Sequence, residues 1–165
     1  MVTEAQQEEV QPLILVVEDY PDAREMYAEY LRFSGFRVAE ARNGEEALAR
    51  ARQEVPDVVL MDLALPLMDG WEATRRLKGD PRTAHTLVVA LTGHALAGHA
   101  EGARRAGCDA FVTKPCLPDE LVDVIHKLLS SRAEAAAAAP LASEPGAGAI
   151  TPGTAAALPA THTAN

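Results

Sequence analysis

Five side chains in this sequence have types and positions that would let them do chemistry together: Glu18, Asp19, Asp62, Thr92 and Lys114. Each stands just past a short apolar run. Glu18 and Asp19 follow LILVV at Leu13 to Val17, Asp62 follows VVLM at Val58 to Met61, Thr92 follows LVVAL at Leu87 to Leu91, and Lys114 follows AFVT at Ala110 to Thr113. If those runs are strands ending on one edge of a sheet, three carboxylates, a hydroxyl and an ammonium meet there. Two carboxylates about 4 Å apart repel by about 4 kcal/mol at an effective dielectric near 20, so the three raise one another's pKa unless a cation joins them. All-oxygen ligands with room for water suit Mg²⁺, which takes one or two carboxylates and completes its octahedron with water and a phosphate oxygen. Phosphoryl transfer needs an in-line nucleophile, for which an aspartate serves, a bridging metal, and hydrogen-bonding or positive groups on the equatorial oxygens. Asp62, Mg²⁺, Lys114 and Thr92 match those roles.

The elements that must position these groups are legible as alternating patterns. A fifth strand-length run, RVAEA at Arg37 to Ala41, joins the four above, and four of the five are apolar nearly throughout, as in a parallel sheet covered on both faces. Helical segments lie between them. Asp22 to Phe33 places Met26, Tyr30 and Phe33 at spacings of four and three, with Gly35 as a stop. Asn43 caps a segment with Ala47, Leu48 and Ala51; Trp71, Thr74, Arg75 and Leu77 fall in a third helix ended by Gly79, Asp80 and Pro81. Ala95 to Ala106 is the softest helix, because Gly98 and Gly102 weaken it by about 1 kcal/mol each. Leu117, Leu121, Val124, Ile125 and Leu128 mark the last. The pattern is (βα)5, and right-handed crossovers bring every strand's carboxyl end to one edge, where open α/β sheets bind ligands.

Composition bounds the rest. The 165 residues are enough for one domain plus tails. Residues 1–11 and 133–165 read as disordered extensions, the second rich in Ala, Pro and Thr, with Ala133 to Ala139 able to prolong the last helix before Pro140; the folded unit spans 12–132. Removing Glu4, Glu8, Glu9, Glu134 and Glu144 from the 24 acidic residues leaves 19 in that unit against 15 basic ones. A net charge of -9 for the chain gives no electrostatic reason to approach nucleic acid or an anionic membrane. Cys108 and Cys116 have no CxxC spacing, the first residues carry the wrong charge for a signal peptide, and no run approaches a membrane span, so a cytoplasmic location is expected. His85, His94 and His99 with the cysteines lack the tight ligand pairs of a zinc site, the glycines form neither GxGxxG nor a Walker loop, and GxSxG and HExxH are absent.

The segments VVEDYPDARE, VVLMDLALPLMDGWE, VVALTGHA and DAFVTKPCLPDEL, in that order, closely resemble the receiver domain of two-component response regulators over about residues 12 to 130. The resemblance implies a flavodoxin-like, doubly wound five-stranded parallel sheet of order 2-1-3-4-5. It implies that Asp62 accepts a phosphoryl group from a sensor histidine kinase or phosphotransfer protein. Mg²⁺ would be held by Glu18, Asp19, Asp62 and the backbone carbonyl of Ala64, with Lys114 on the phosphate and Thr92 shifting its hydroxyl onto it. Phe111 stands where the family keeps an aromatic that turns inward with the threonine; read as a strand residue alone, it is ordinary core. The bond from Lys114 to Pro115 is usually cis in this family. Glu18 replaces the commoner aspartate, and Ala64 and His94 occupy positions at which relatives vary phosphoryl lifetime.

These features describe a stand-alone switch, not an enzyme, whose output passes through an unknown downstream protein; the segment after Arg132 is too short and biased for an output domain, and homodimerisation is left open. Two rival readings remain. An aspartyl-nucleophile, Mg²⁺-dependent phosphatase of the haloacid-dehalogenase type needs a second acid two residues after the nucleophile, where this chain has Ala64. A receiver-like module that binds partners without accepting phosphate is the other.

Overall fold

The computed structural model describes residues 10–93 and 97–139, without the side chains of 97–100 and 103. The readings made for His94, His99, residues 1–9 and residues 140–165 lie outside what is described. The five apolar runs are the strands β1 (Leu13–Val17), β2 (Arg37–Ala41), β3 (Val58–Asp62), β4 (Leu87–Thr92) and β5 (Ala110–Thr113). They alternate with helices α1 (Pro21–Phe33), α2 (Gly44–Glu54), α3 (Gly70–Gly79), α4 (Ala97–Ala106) and α5 (Pro118–Ala138). All neighbours pair in parallel, in the order β2-β1-β3-β4-β5. Asp62 and Thr92, expected just past their strands, are the terminal strand residues, which fixes their backbones in the ladder.

Period-two alternation splits the sheet into two apolar faces. Leu13, Leu15, Val17, Val59 and Met61 face Ala47, Leu48 and Ala51 of α2 and Ala73 and Leu77 of α3. Ile14, Val16, Leu60, Val89 and Leu91 face Tyr27 and Leu31 of α1 and Leu121 and Ile125 of α5. The central strands β1 and β3 are buried at every position, so truncating Leu13, Ile14, Leu15, Leu60 or Met61 to alanine is expected to cost about 2 to 5 kcal/mol.

Local chemistry sets the helix ends. The Asn43 side chain accepts the Glu46 N–H at 2.8 Å, and Asp69 does the same for Glu72 at 2.8 Å. Gly35, at φ +91°, turns the chain out of α1 into β2. Alanine propensity carries α5 past Arg132 as far as Ala138. The stripe whose spacing marks α1 is not its buried face: Tyr27, Ala28 and Leu31 are buried, whereas Phe33 is 90% exposed and Met26 is also exposed. Met26, Tyr30 and Phe33 instead border an open groove with Pro118. Leu117 caps α5 from outside the core and is exposed, so the buried stripe of that helix begins at Leu121.

Candidate functional site

The carboxyl edge of β1, β3, β4 and β5 brings the sequence-predicted groups together. Glu18 is held by its backbone, whose N–H donates to the Ala41 carbonyl at 3.1 Å, and its carboxylate accepts the Tyr20 N–H at 3.2 Å. The side chain is almost wholly buried. Asp19 follows in the exposed turn before α1. Asp62 is buried; its Oδ1 accepts the N–H of Ala64 at 2.9 Å. Lys114 Nζ donates to Asp62 Oδ2 at 3.2 Å and to Glu18 Oε2. Lys114 is itself set by its N–H bond to the Thr92 carbonyl at 2.7 Å, and the next peptide, to Pro115, is cis. Thr92 is buried at the end of β4, and Phe111 on β5 is 50% exposed. This exposure removes the reading of Phe111 as core.

The electrostatics follow from burial and crowding. Desolvation raises the Glu18 pKa; the Lys114 bond pulls it down and the Asp62 charge pushes it up, with a net rise. Burial alone would lower Lys114, but its bonds to Glu18 and the charge of Asp62 outweigh that and raise it. One ammonium therefore faces three carboxylates. Glu18, Asp19 and Asp62 can present oxygens within 4.8 Å of one another, the one such His/Cys/Asp/Glu group of three among the described residues. Carboxylate oxygens, one of them on an exposed side chain open to water, and an excess of negative charge are the donor set of a hard divalent cation. The residues present fit Mg²⁺.

The structure adds groups that the linear pattern hid. Gly70 opens α3 so close to β3 that a Cβ there would collide with the Asp62 carbonyl. The tripeptide around it, with Asp69 capping, is a signal that a sequence reading could use. Arg24 Nη1 donates to the Glu18 carbonyl at 2.9 Å while its Nε faces Glu40 at 3.5 Å. Behind the site, the buried Tyr27 hydroxyl lies 3.6 Å from Cys116 Sγ, and burial raises its pKa. Neither contact leaves a periodic trace in the sequence.

The doubly wound parallel sheet thus carries an acidic, lysine-bearing site on its carboxyl edge, where open α/β sheets bind ligands. The response regulator receiver domain family matches residues 14–126, and the chain belongs to it. The chain is 35% identical over 116 residues, 70% of its length and 94% of the relative's, to the polar-differentiation response regulator DivK of Brucella anthropi. Among solved structures it resembles the Vibrio cholerae chemotaxis protein CheY4, with a TM-score of 0.69 and 26% identity over 71% of this chain and 98% of that one. It also resembles the receiver domain of the Pseudomonas aeruginosa sensor histidine kinase PA1611, whose active-site cleft holds a magnesium ion, with a TM-score of 0.66 and 32% identity over 71% and 96%.

Proposed function

We propose that this receiver accepts a phosphoryl group on Asp62 from a sensor histidine kinase or phosphotransfer protein, and that the change switches a protein-binding surface. The observation that carries this reading is the convergence of Glu18, Asp19 and Asp62 with the single ammonium of Lys114. In the transfer, an Asp62 carboxylate oxygen attacks phosphorus, the bond from phosphorus to the donor's histidine nitrogen breaks, and its electron pair returns to the imidazole. Glu18, Asp19, Asp62 and the Ala64 carbonyl would hold Mg²⁺, which supplies charge neutralisation on the phosphoryl oxygens. Lys114 trades its bond to Asp62 for one to a phosphoryl oxygen, and the Thr92 hydroxyl moves to another. Phe111, half out of β5, has room to move with it and so to alter the face formed by α4, β5 and α5.

The rim supports a macromolecular donor. Tyr20, Leu67 and Leu117, from the loops after β1, β3 and β5, are large, apolar and exposed around the acidic pocket. Ala64 places no second acid two residues from the nucleophile, so turnover of phosphate esters is not expected. The test is incubation of the protein with acetyl phosphate and Mg²⁺ followed by intact mass measurement. A labile, Mg²⁺-dependent phosphoryl adduct is expected on the wild type and not on Asp62→Asn. An unmodified wild type, under conditions that label another receiver, would overturn the reading in favour of a binding module that does not accept phosphate.

A further inference from the structure

β2 is an edge strand, and its edge is unusual in this acidic chain. Five of the 15 basic residues, Arg24, Arg32, Arg37, Arg42 and Arg50, lie on β2, in the turn after it, or on the segments of α1 and α2 that flank it. A cleft of about 380 Å³ runs along Val38 to Glu40 and is walled by Arg24 and Arg32 from α1 and by Arg42 and Arg50 from α2 and its approach. Two carboxylates share it: Glu40 faces Arg32 at 2.8 Å and Arg24 at 3.5 Å, and Glu46 faces Arg42 at 3.4 Å. Arg50 in turn faces Glu54 at 2.9 Å, so four guanidinium groups meet three carboxylates and the cleft stays net positive although the whole chain carries -9. Arg32, Arg42 and Arg50 are exposed, so their remaining N–H donors face water.

The backbone beside these arginines is also available. The Arg37 N–H bonds the Pro12 carbonyl and the Ala41 carbonyl accepts the Glu18 N–H, so both residues turn inward to β1. Alternation along a parallel strand then turns the N–H and C=O of Val38 and Glu40 to the open edge. A ligand that uses all of these groups must offer backbone donors and acceptors along its length and acidic side chains on both faces. An extended acidic peptide does so, with successive side chains pointing alternately to the α1 arginines and the α2 arginines. A phosphate chain offers acceptors alone and leaves the outward carbonyls of Val38 and Glu40 unmatched.

We propose that the β2 edge is a docking site for an acidic, extended segment of a partner protein, which adds as a strand beside β2 and places carboxylates on Arg32, Arg42 and Arg50. This surface lies on α1, β2 and α2, away from the face built by β5 and α5, and its occupation does not require Asp62 to be phosphorylated.

The test uses octaglutamate as the probe, octaglutamine as the uncharged peptide of equal length, and tripolyphosphate as the anion without a peptide backbone. Octaglutamate is expected to bind the full chain, to shift the amide resonances of Val38 and Glu40, and to bind Asp62→Asn equally well. Arg32→Ala with Arg50→Ala should weaken binding about tenfold, because two charge-assisted hydrogen bonds are lost. Val38→Pro removes an outward N–H that the fold does not use, as edge strands tolerate, and should weaken binding without touching an arginine. Stronger salt should weaken it further. Absence of octaglutamate binding, equal binding by the arginine variant, unmoved Val38 and Glu40 amides, or binding of tripolyphosphate in place of the peptide would each overturn the proposal.

Discussion

β3 has an aspartate at each end, and the two differ in what surrounds them. Asp57, just before the strand, is fully matched: its carboxylate accepts the Leu13 N–H at 2.9 Å and Arg132 Nη2 at 2.7 Å. Its backbone joins two neighbouring strands, donating to the Leu13 carbonyl and accepting the Leu87 N–H. Asp62, at the far end, also takes a backbone N–H and a cation from a segment beyond β4, but must share Lys114 with Glu18 and stands beside Asp19. One aspartate ties α5 to the start of the sheet. The other leaves negative charge unbalanced. Residue type and strand are the same, so the neighbouring charges separate a structural clamp from a site that calls for a cation.

The largest expected break in that comparison is all-or-none. Asp62→Asn should abolish phosphoryl labelling by acetyl phosphate, read by intact mass, while Asp57→Asn should leave it intact. Mg²⁺ comes next. Binding only to the folded state at about a hundred times its dissociation constant raises stability by about 2.7 kcal/mol, so urea midpoints of the wild type should rise with Mg²⁺ and those of Asp62→Asn should rise less. At the other end, Asp57→Ala should cost about 1 to 2 kcal/mol in urea unfolding, with no dependence on Mg²⁺. Its lost bonds to Leu13 and Arg132 are partly exposed and screened, which keeps the value modest.

The same crowding predicts a pH slope. Burial raises the folded-state pKa of Glu18 above its ordinary 4.5, so the folded protein binds that proton more readily than the unfolded chain. The contribution is complete below the ordinary glutamate value and is lost as pH rises through the raised one. Asp80 and Glu72, lowered by arginine partners, act in the opposite direction and at lower pH. Metal-free protein should therefore lose stability from about pH 4.5 upward through Glu18, and Glu18→Gln should flatten that slope. Urea midpoints across that range, with and without Mg²⁺, measure it. A slope unchanged in Glu18→Gln would place its origin elsewhere.

What was legible in the sequence follows the same division. The five strands and the edge they share were readable because short apolar runs and strand-terminal polar residues are local signals, and Asp62, Thr92 and Lys114 inherit their places from them. The Asp57–Arg132 clamp was not readable, because a pair 75 residues apart has no period to announce it. Which face of α1 is buried was not readable for a related reason. Met26, Tyr30 and Phe33 make one stripe and Tyr27 and Leu31 make another a single position away, and only the crossover onto β1 and β2 decides which is buried. Arg24 escaped notice because its partner at the site is a backbone carbonyl, which any residue at position 18 would supply.

The smallest effects concern strain, which also occurs once at each end. Val55, before Pro56 and Asp57, has φ +47°, and Leu67, in the loop after β3, has φ +68°. Both are conformations that L side chains adopt at a cost of about 1 to 2 kcal/mol, offset in a glycine by the greater entropy of its unfolded chain. At Leu67 the Met68 N–H bonds the Pro66 carbonyl at 2.8 Å, closing a tight turn around a residue whose side chain is 90% exposed. Leu67→Gly should thus stabilise the protein by about 0.5 to 1 kcal/mol, and Val55→Gly by less, since Val55 gives up partial burial. The two should part company in function. Val55→Gly should leave phosphotransfer unchanged, whereas Leu67→Gly should slow transfer from a histidine kinase and spare labelling by acetyl phosphate, because it removes apolar surface from the rim without touching the acidic pocket. Equal transfer rates in the two glycine variants would show that the strain at Leu67 serves the loop's geometry and not the recognition of a donor.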